Sequence, residues 1–170
     1  MFNMEFIALA RTVHVVAGVA WAGATFLLAA VIVPIAVRHG AEGAGRWTGM
    51  IARRIGPMSG ISALLTVLSG IFLFAVLHPN DSSVGGLVLR AGAIAALLSL
   101  AVGFVVARPA GLELEKLNRQ SLPASAASPD VLQQMSGLGR RTVLSSRLAA
   151  ALLGVAVLSM AVFRYAGAMI

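Results

Sequence analysis

The sequence predicts an all-α integral membrane protein, an antiparallel four-helix transmembrane bundle with both termini outside (N-out/C-out). Three observations predict it. Of 170 residues, 59% are hydrophobic and only 11% are charged, at a mean hydropathy of +0.92, whereas a soluble domain is about 25% charged. Four apolar stretches reach the roughly 20 residues that a helix needs to cross a hydrocarbon core. The basic residues gather on alternate connections between those stretches, the pattern that orients membrane helices.

The chain reads as a single membrane domain, residues 1–170. The first span, about 12–37, lies between Arg11 and Arg38, and past its first residue His14 and Thr25 are what clearly interrupt its apolar character. Pro34 is expected to bend its last turns. The second span, about 57–78, is expected to begin near Pro57, a residue suited to a first helical turn. It runs through "MSGISALLTVLSGIFLFAVL" to His78. "HPNDSSVGG" follows as a polar turn. The third span, about 87–108, lies mostly between Arg90 and Arg108, and the fourth covers about 142–165.

Two connections separate these spans at the other end, 38–56 and 109–141. In the first, Trp47, Met50, Ile51 and Ile55 fall on one helical face suited to an interface. In the second, "LELEKLNRQ" predicts a short helix and "LPASAASP" a flexible linker. Ser128-Pro129-Asp130 then reads as a helix start, with Ser128 as N-cap and Pro129 at the first helical position. That helix has no break signal before the fourth span.

Orientation follows from Lys and Arg. The two connections and their flanking span ends hold Arg38, Arg46, Arg53, Arg54, Arg108, Lys116, Arg119, Arg140, Arg141 and Arg147, while the opposite side holds only Arg11, Arg90 and Arg164. The connections are therefore expected in the cytoplasm. The first ten residues carry no Lys or Arg, the apolar run is too long and no convincing A-x-A cleavage site follows, so the first helix is expected to stay in the mature protein. Small residues recur at four-residue spacing (Gly18 and Ala22, Gly92 and Ala96, Gly103 and Ala107, Ala150 and Gly154), the pattern that lets helix backbones approach in lipid. Short connections make sequence neighbours the expected spatial neighbours.

Much chemistry is excluded. The net charge of +7 and pI near 11.7 do not indicate nucleic acid, because the basic residues flank apolar segments and form no patch with interleaved aromatics. That charge fits topology and attraction to the anionic lipid bilayer. The absence of cysteine removes disulfides, thiolate metal sites and Cys nucleophiles. All six acidic residues lie outside the apolar spans, so no intramembrane carboxylate pair serves acid/base work.

Three histidines remain. His39 follows His14 by 25 residues, about 37 Å along one straight helix, so the two cannot share a site, and His39 reads as an interfacial residue. His14 and His78 both fall near the outer face, at the level of Arg11, Arg90 and Arg164, with Met160 and Tyr165 at the outer end of the fourth span. Imidazole and thioether are ligands for haem iron or copper, and arginine suits a haem propionate. Gly18 at i+4 and Trp21 and Ala22 at i+7 and i+8 share the face of His14. Two readings of that face stand side by side: a floor and an aromatic wall for a flat macrocycle, or an interfacial histidine above a helix-packing groove.

At "VHVVAGVAWAGATFLLAAVIVPIAVRH" the chain resembles the first helix of the CopD and HemJ superfamily of small bacterial membrane proteins. The resemblance is carried by His14, Trp21 and Gly23. It extends to "IGPMSGISALLTVLSGIFLF", "GLVLRAGAIAALLSL" and "SRLAAALLGVAVLSMAVFRY" in the other three spans. A HemJ-like member implies a b-type haem ligated by the first-helix histidine and a role in protoporphyrinogen oxidation. A CopD-like member implies copper uptake or tolerance. The expected location is the bacterial inner (plasma) membrane.

The resulting expectation is a haem-binding protein in which His14 is an axial ligand and His78 or Met160 a second one. Arg11, Arg90 and Arg164 would neutralise propionates, and Gly18 and Trp21 would shape the pocket. Electrons would pass to or from quinone or a redox partner protein, and a homodimer is compatible with the pattern. Two alternatives stand: a copper-handling protein using His14, His78 and Met160, and an accessory subunit in which His14 is structural.

Overall fold

The computed structural model describes residues 3–38, 44–120 and 128–166, with backbone only at 44–49 and 52. His39, the side chain of Trp47 and nearly all of the "LPASAASP" stretch lie outside the described residues. The architecture is all-helical, with no strand among the described residues. Four continuous helices form it: α1 (Met4–Arg38), α2 (Ala44–Leu77), α3 (Val84–Gln120) and α4 (Pro129–Val162). Each is long and apolar enough to cross a membrane.

The helices extend well past the apolar stretches. α2 starts at Ala44, so Pro57 lies inside a helix and not in its first turn as its sequence context suggests. The "LELEKLNRQ" segment is no separate helix but the end of α3. Ser128 caps α4 as expected, its hydroxyl accepting from the Val131 N–H at 3.5 Å, and α4 then runs unbroken to Val162. Ser83 caps α3 through the Gly86 N–H at 3.1 Å.

α1 and α3 share one irregularity. α1 carries a π-helical turn at Leu28–Ile32 and α3 another at Gly103–Ala107, in which Val33 N–H reaches Leu28 O and Arg108 N–H reaches Gly103 O. Each turn is followed by an X-Pro pair, Val33-Pro34 and Arg108-Pro109. Proline brings no N–H, and its ring crowds the carbonyl four residues back. A turn widened to i→i+5 makes room for that ring without ending the helix. Gly103 and Ala107 thus bound a π turn, and Gly103 meets no neighbour within 4 Å, so this pair is no close-packing step.

Two antiparallel hairpins make the bundle, α1 with α2 and α3 with α4, and they dock chiefly through α1 against α4. α2 and α3 follow each other in sequence yet touch little, so the expectation that chain neighbours pair fails there. They meet through Gly60 against Phe104 and through an Arg53–Glu115 ion pair that Arg119 joins at 2.8 Å.

The core is built of small residues. Trp21, Ala22, Ala63, Ala95, Ala96, Leu153 and Ala156 form one cluster with members from all four helices. Among the described residues every buried apolar side chain except Trp21 and Leu153 is alanine, while Leu, Ile, Val and Phe dominate the exposed surface. That is the inverse of a water-soluble core. It suits helices whose association rests on close backbone approach while large apolar side chains face lipid. Gly92 shows the approach directly: a Cβ there would stand 2.6 Å from Ser159 Cβ. Ser99 Oγ donates to Ala149 O at 2.7 Å, tying α3 to α4 inside the buried seam.

Candidate functional site

His14 sits in the first half of α1 and reaches across to α2. Its Nδ1 lies 2.8 Å from the Thr66 carbonyl oxygen. A carbonyl only accepts, so Nδ1 carries the proton and donates, and in the neutral ring Nε2 holds the lone pair. Ser69 Oγ stands 3.3 Å from the same Nδ1 and also donates to Leu65 O at 2.5 Å. Thr66 turns its own hydroxyl back onto Ser62 O at 2.7 Å, which leaves its carbonyl facing the imidazole.

Gly70 makes the seat for the ring. A Cβ at that position would lie 2.9 Å from His14 Cε1 and 3.2 Å from Nδ1. Only glycine allows the imidazole to lie against α2 at this distance. Thr66, Ser69 and Gly70 escaped the sequence reading. Their signal was present in "TVLSG", where Thr, Ser and Gly at i, i+3 and i+4 mark one face of an otherwise apolar helix.

The far nitrogen is in a different state. His14 is half-buried, and no buried side-chain nitrogen or oxygen lacks a hydrogen bond among the described residues. Nε2 has no hydrogen-bond partner among those residues, so it opens to the surface of the bundle. An imidazole fixed by an Nδ1–H···O=C bond with Nε2 presented outward is the arrangement that orients metal-ligating histidines.

The neighbours expected to shape a pocket do other work. Gly18 faces Thr66, where an added Cβ would stand 3.6 Å from Cγ2, so it lies in the α1–α2 seam rather than flooring a cavity. Trp21 is 5% exposed and fills the four-helix core, so its indole is no wall beside His14. Arg11 lies one turn before His14 on α1 and is exposed.

His78, Arg90 and Arg164 belong to a second cluster at the α2–α3 turn. His78 Nδ1 is 3.3 Å from Asp81 Oδ2, and its ring meets Phe163 edge-on at 5.8 Å. Arg90 donates to Asp81 O at 2.9 Å and lies over the Phe74 ring at 6.0 Å, while Arg164 lies over Phe163 at 5.8 Å. Hydrogen bonds from the Ser83 side chain and then its backbone N–H hold the Asp81 carboxyl below the usual aspartate range, with His78 adding to the effect.

His78 follows Gly70 by eight residues, about 12 Å along α2, so His14 and His78 are not brought together. Met160 is half-buried on α4, next to the Ser159 that packs on Gly92, and Tyr165 is exposed. Among the described residues no three His, Asp or Glu side chains gather as a metal-ligating group. The site thus reduces to one imidazole, anchored on one nitrogen and open on the other. Comparison of the chain with known protein families, with curated proteins and with solved structures finds no match.

Proposed function

We propose that this is a multi-pass protein of the bacterial inner membrane that binds b-type haem through His14 Nε2 near the outer face. The observation that carries the proposal is the divided state of the imidazole, with Nδ1–H fixed on Thr66 O and Nε2 open. An unpaired ring nitrogen on an apolar surface is costly, and a metal is the ligand that a lone pair so oriented suits. Haem supplies one-electron chemistry when bound, with quinone or a partner protein as the other party. His14 would hold it on the flank of α1 and α2 and Arg11, one turn away, would offer a cation to its carboxylates, without a pocket floored by Gly18 and walled by Trp21. A HemJ-like oxidase activity follows only if that haem is present. The CopD-like copper reading would draw on His14, His78 and Met160, and of these His78 stands about 12 Å along α2 from the Gly70 seat of His14.

A second reading has its own observation. The hydrogen bond to Thr66 and the Gly70 seat are also what a purely structural clamp between α1 and α2 requires, as in a non-catalytic accessory subunit. Reduced-minus-oxidised visible spectra of detergent-purified wild type and His14→Ala, each also recorded after adding haem, separate the readings. A haem band in the wild type that is lost in the variant supports the haem reading. Stoichiometric copper in a colourless protein supports the copper reading. A wild type that takes up neither, with a variant that is only less stable, leaves the clamp. The N-out/C-out orientation is tested by a C-terminal reporter, which is expected to be inactive if it requires the cytoplasm.

A further inference from the structure

α4 carries three arginines that the proposed function does not use, and two open grooves flank it where they stand. One groove of about 470 Å³ lies beside the π turn of α3 and is lined by Val106, Arg140, Arg141, Leu144, Ser145 and Leu148. The other, of about 330 Å³, lies beside the π turn of α1 and includes Ala29, Ala30 and Arg147. In both, a widened turn on one helix faces arginine on α4.

Charge at this end is unevenly paired. Glu115 binds Arg53 and Arg119, and Glu113 lies 3.8 Å from Lys116. Arg140, Arg141 and Arg147 have no carboxylate partner among the described residues. Arg147 stands seven residues beyond Arg140 on α4, about 10 Å further along the helix, where the chain has become apolar. The Arg140 and Arg141 guanidinium groups beside a wall of Val106, Leu144 and Leu148 match a molecule with a phosphodiester at one end and an alkyl chain at the other. Basic pockets between membrane helices recognise such headgroups, and arginine suits phosphate by its fork of donors.

We infer that the groove between α3 and α4 is a binding site for an anionic phospholipid, its phosphodiester held by Arg140 and Arg141 and an acyl chain laid along Leu144 and Leu148. The groove beside Arg147 extends the same positive field to the other flank of α4. The site is independent of whether His14 carries haem.

The test is native mass spectrometry of the detergent-purified chain titrated with dioleoyl phosphatidylglycerol or dioleoyl phosphatidylcholine. The wild type is expected to prefer the anionic lipid by roughly tenfold or more, and Arg140→Gln/Arg141→Gln to lose that preference. Arg38→Gln/Arg54→Gln removes the same charge from exposed positions outside the groove and is expected to keep it. Leu144→Trp, at a side chain 55% exposed, fills the groove without changing charge and is expected to weaken retention. Inorganic phosphate is expected not to compete, since it lacks the chain. No headgroup preference, an equal loss in both arginine pairs, full retention in Leu144→Trp, or displacement by phosphate would each overturn the site. Unchanged thermal unfolding of the variants shows that a loss is not misfolding.

Discussion

The residue that concentrates most of the local physics is Gly70. It has no side chain to contribute, yet it sets the distance at which His14 meets α2. Gly70→Ala would put a methyl 2.9 Å from Cε1, forcing the ring away from Thr66 O. The expected cost is about 1–3 kcal/mol from overpacking with a weakened hydrogen bond, read as thermal unfolding in detergent. If haem is bound, its absorption should shift or vanish in the same variant, because the imidazole orientation depends on this seat. Trp21 makes the opposite case, a single large side chain among alanines. Trp21→Ala is expected to remove about 3 kcal/mol or more, the largest loss of any single truncation in the bundle. A measured loss under 1 kcal/mol would show that neighbouring helices collapse into the space.

At the scale of elements, helix ends and helix seams decide the behaviour. The α2–α3 turn is held by Asp81, which accepts from Ser83, faces His78 and offers its carbonyl to Arg90. Because the folded-state pKa of Asp81 is depressed, its contribution is full above the ordinary aspartate value of about 3.9 and is lost as pH falls through the lower folded value. The turn should therefore keep its hydrogen-exchange protection from pH 7 to about 4.5 and lose it in stronger acid. In Asp81→Asn that acid-dependent step should be absent, and an unchanged step would assign it to another group. The α3–α4 seam is sensitive in a different way. Gly92→Ala places Cβ 2.6 Å from Ser159 Cβ and 3.3 Å from Ala156 O, so the helices must separate, at an expected 1–3 kcal/mol. The same substitution at Gly103, which meets nothing within 4 Å, should be near neutral by contact alone.

The molecule as a whole is two hairpins joined along α1 and α4, and its parts were unequally legible in the sequence. Four long apolar helices, the Ser128 cap, the alternation of basic connections and the small-residue steps at Gly92/Ala96 and Gly18/Ala22 could all be read from local composition and spacing. These features depend on neighbours within one or two turns. The partner of His14 could not be read, nor could the burial of Trp21 in the four-helix core or the weak contact of α2 with α3. In a water-soluble helix an apolar stripe against a polar face fixes the rotation about the helix axis. Here buried and exposed faces are both apolar, so periodicity leaves rotation open, and long-range packing of alanine, glycine and backbone carbonyls sets it. The two π turns show the same division. Pro34 announced a disturbance in the first span, but only the packed helices decided that it, and the one before Pro109, would be absorbed as a wide turn rather than a break. For His14 the sequence determined an imidazole at the mouth of an apolar helix. The tertiary structure decided that Thr66 takes its proton-bearing nitrogen and leaves the other open, because that choice requires a glycine and a carbonyl from a helix more than fifty residues away.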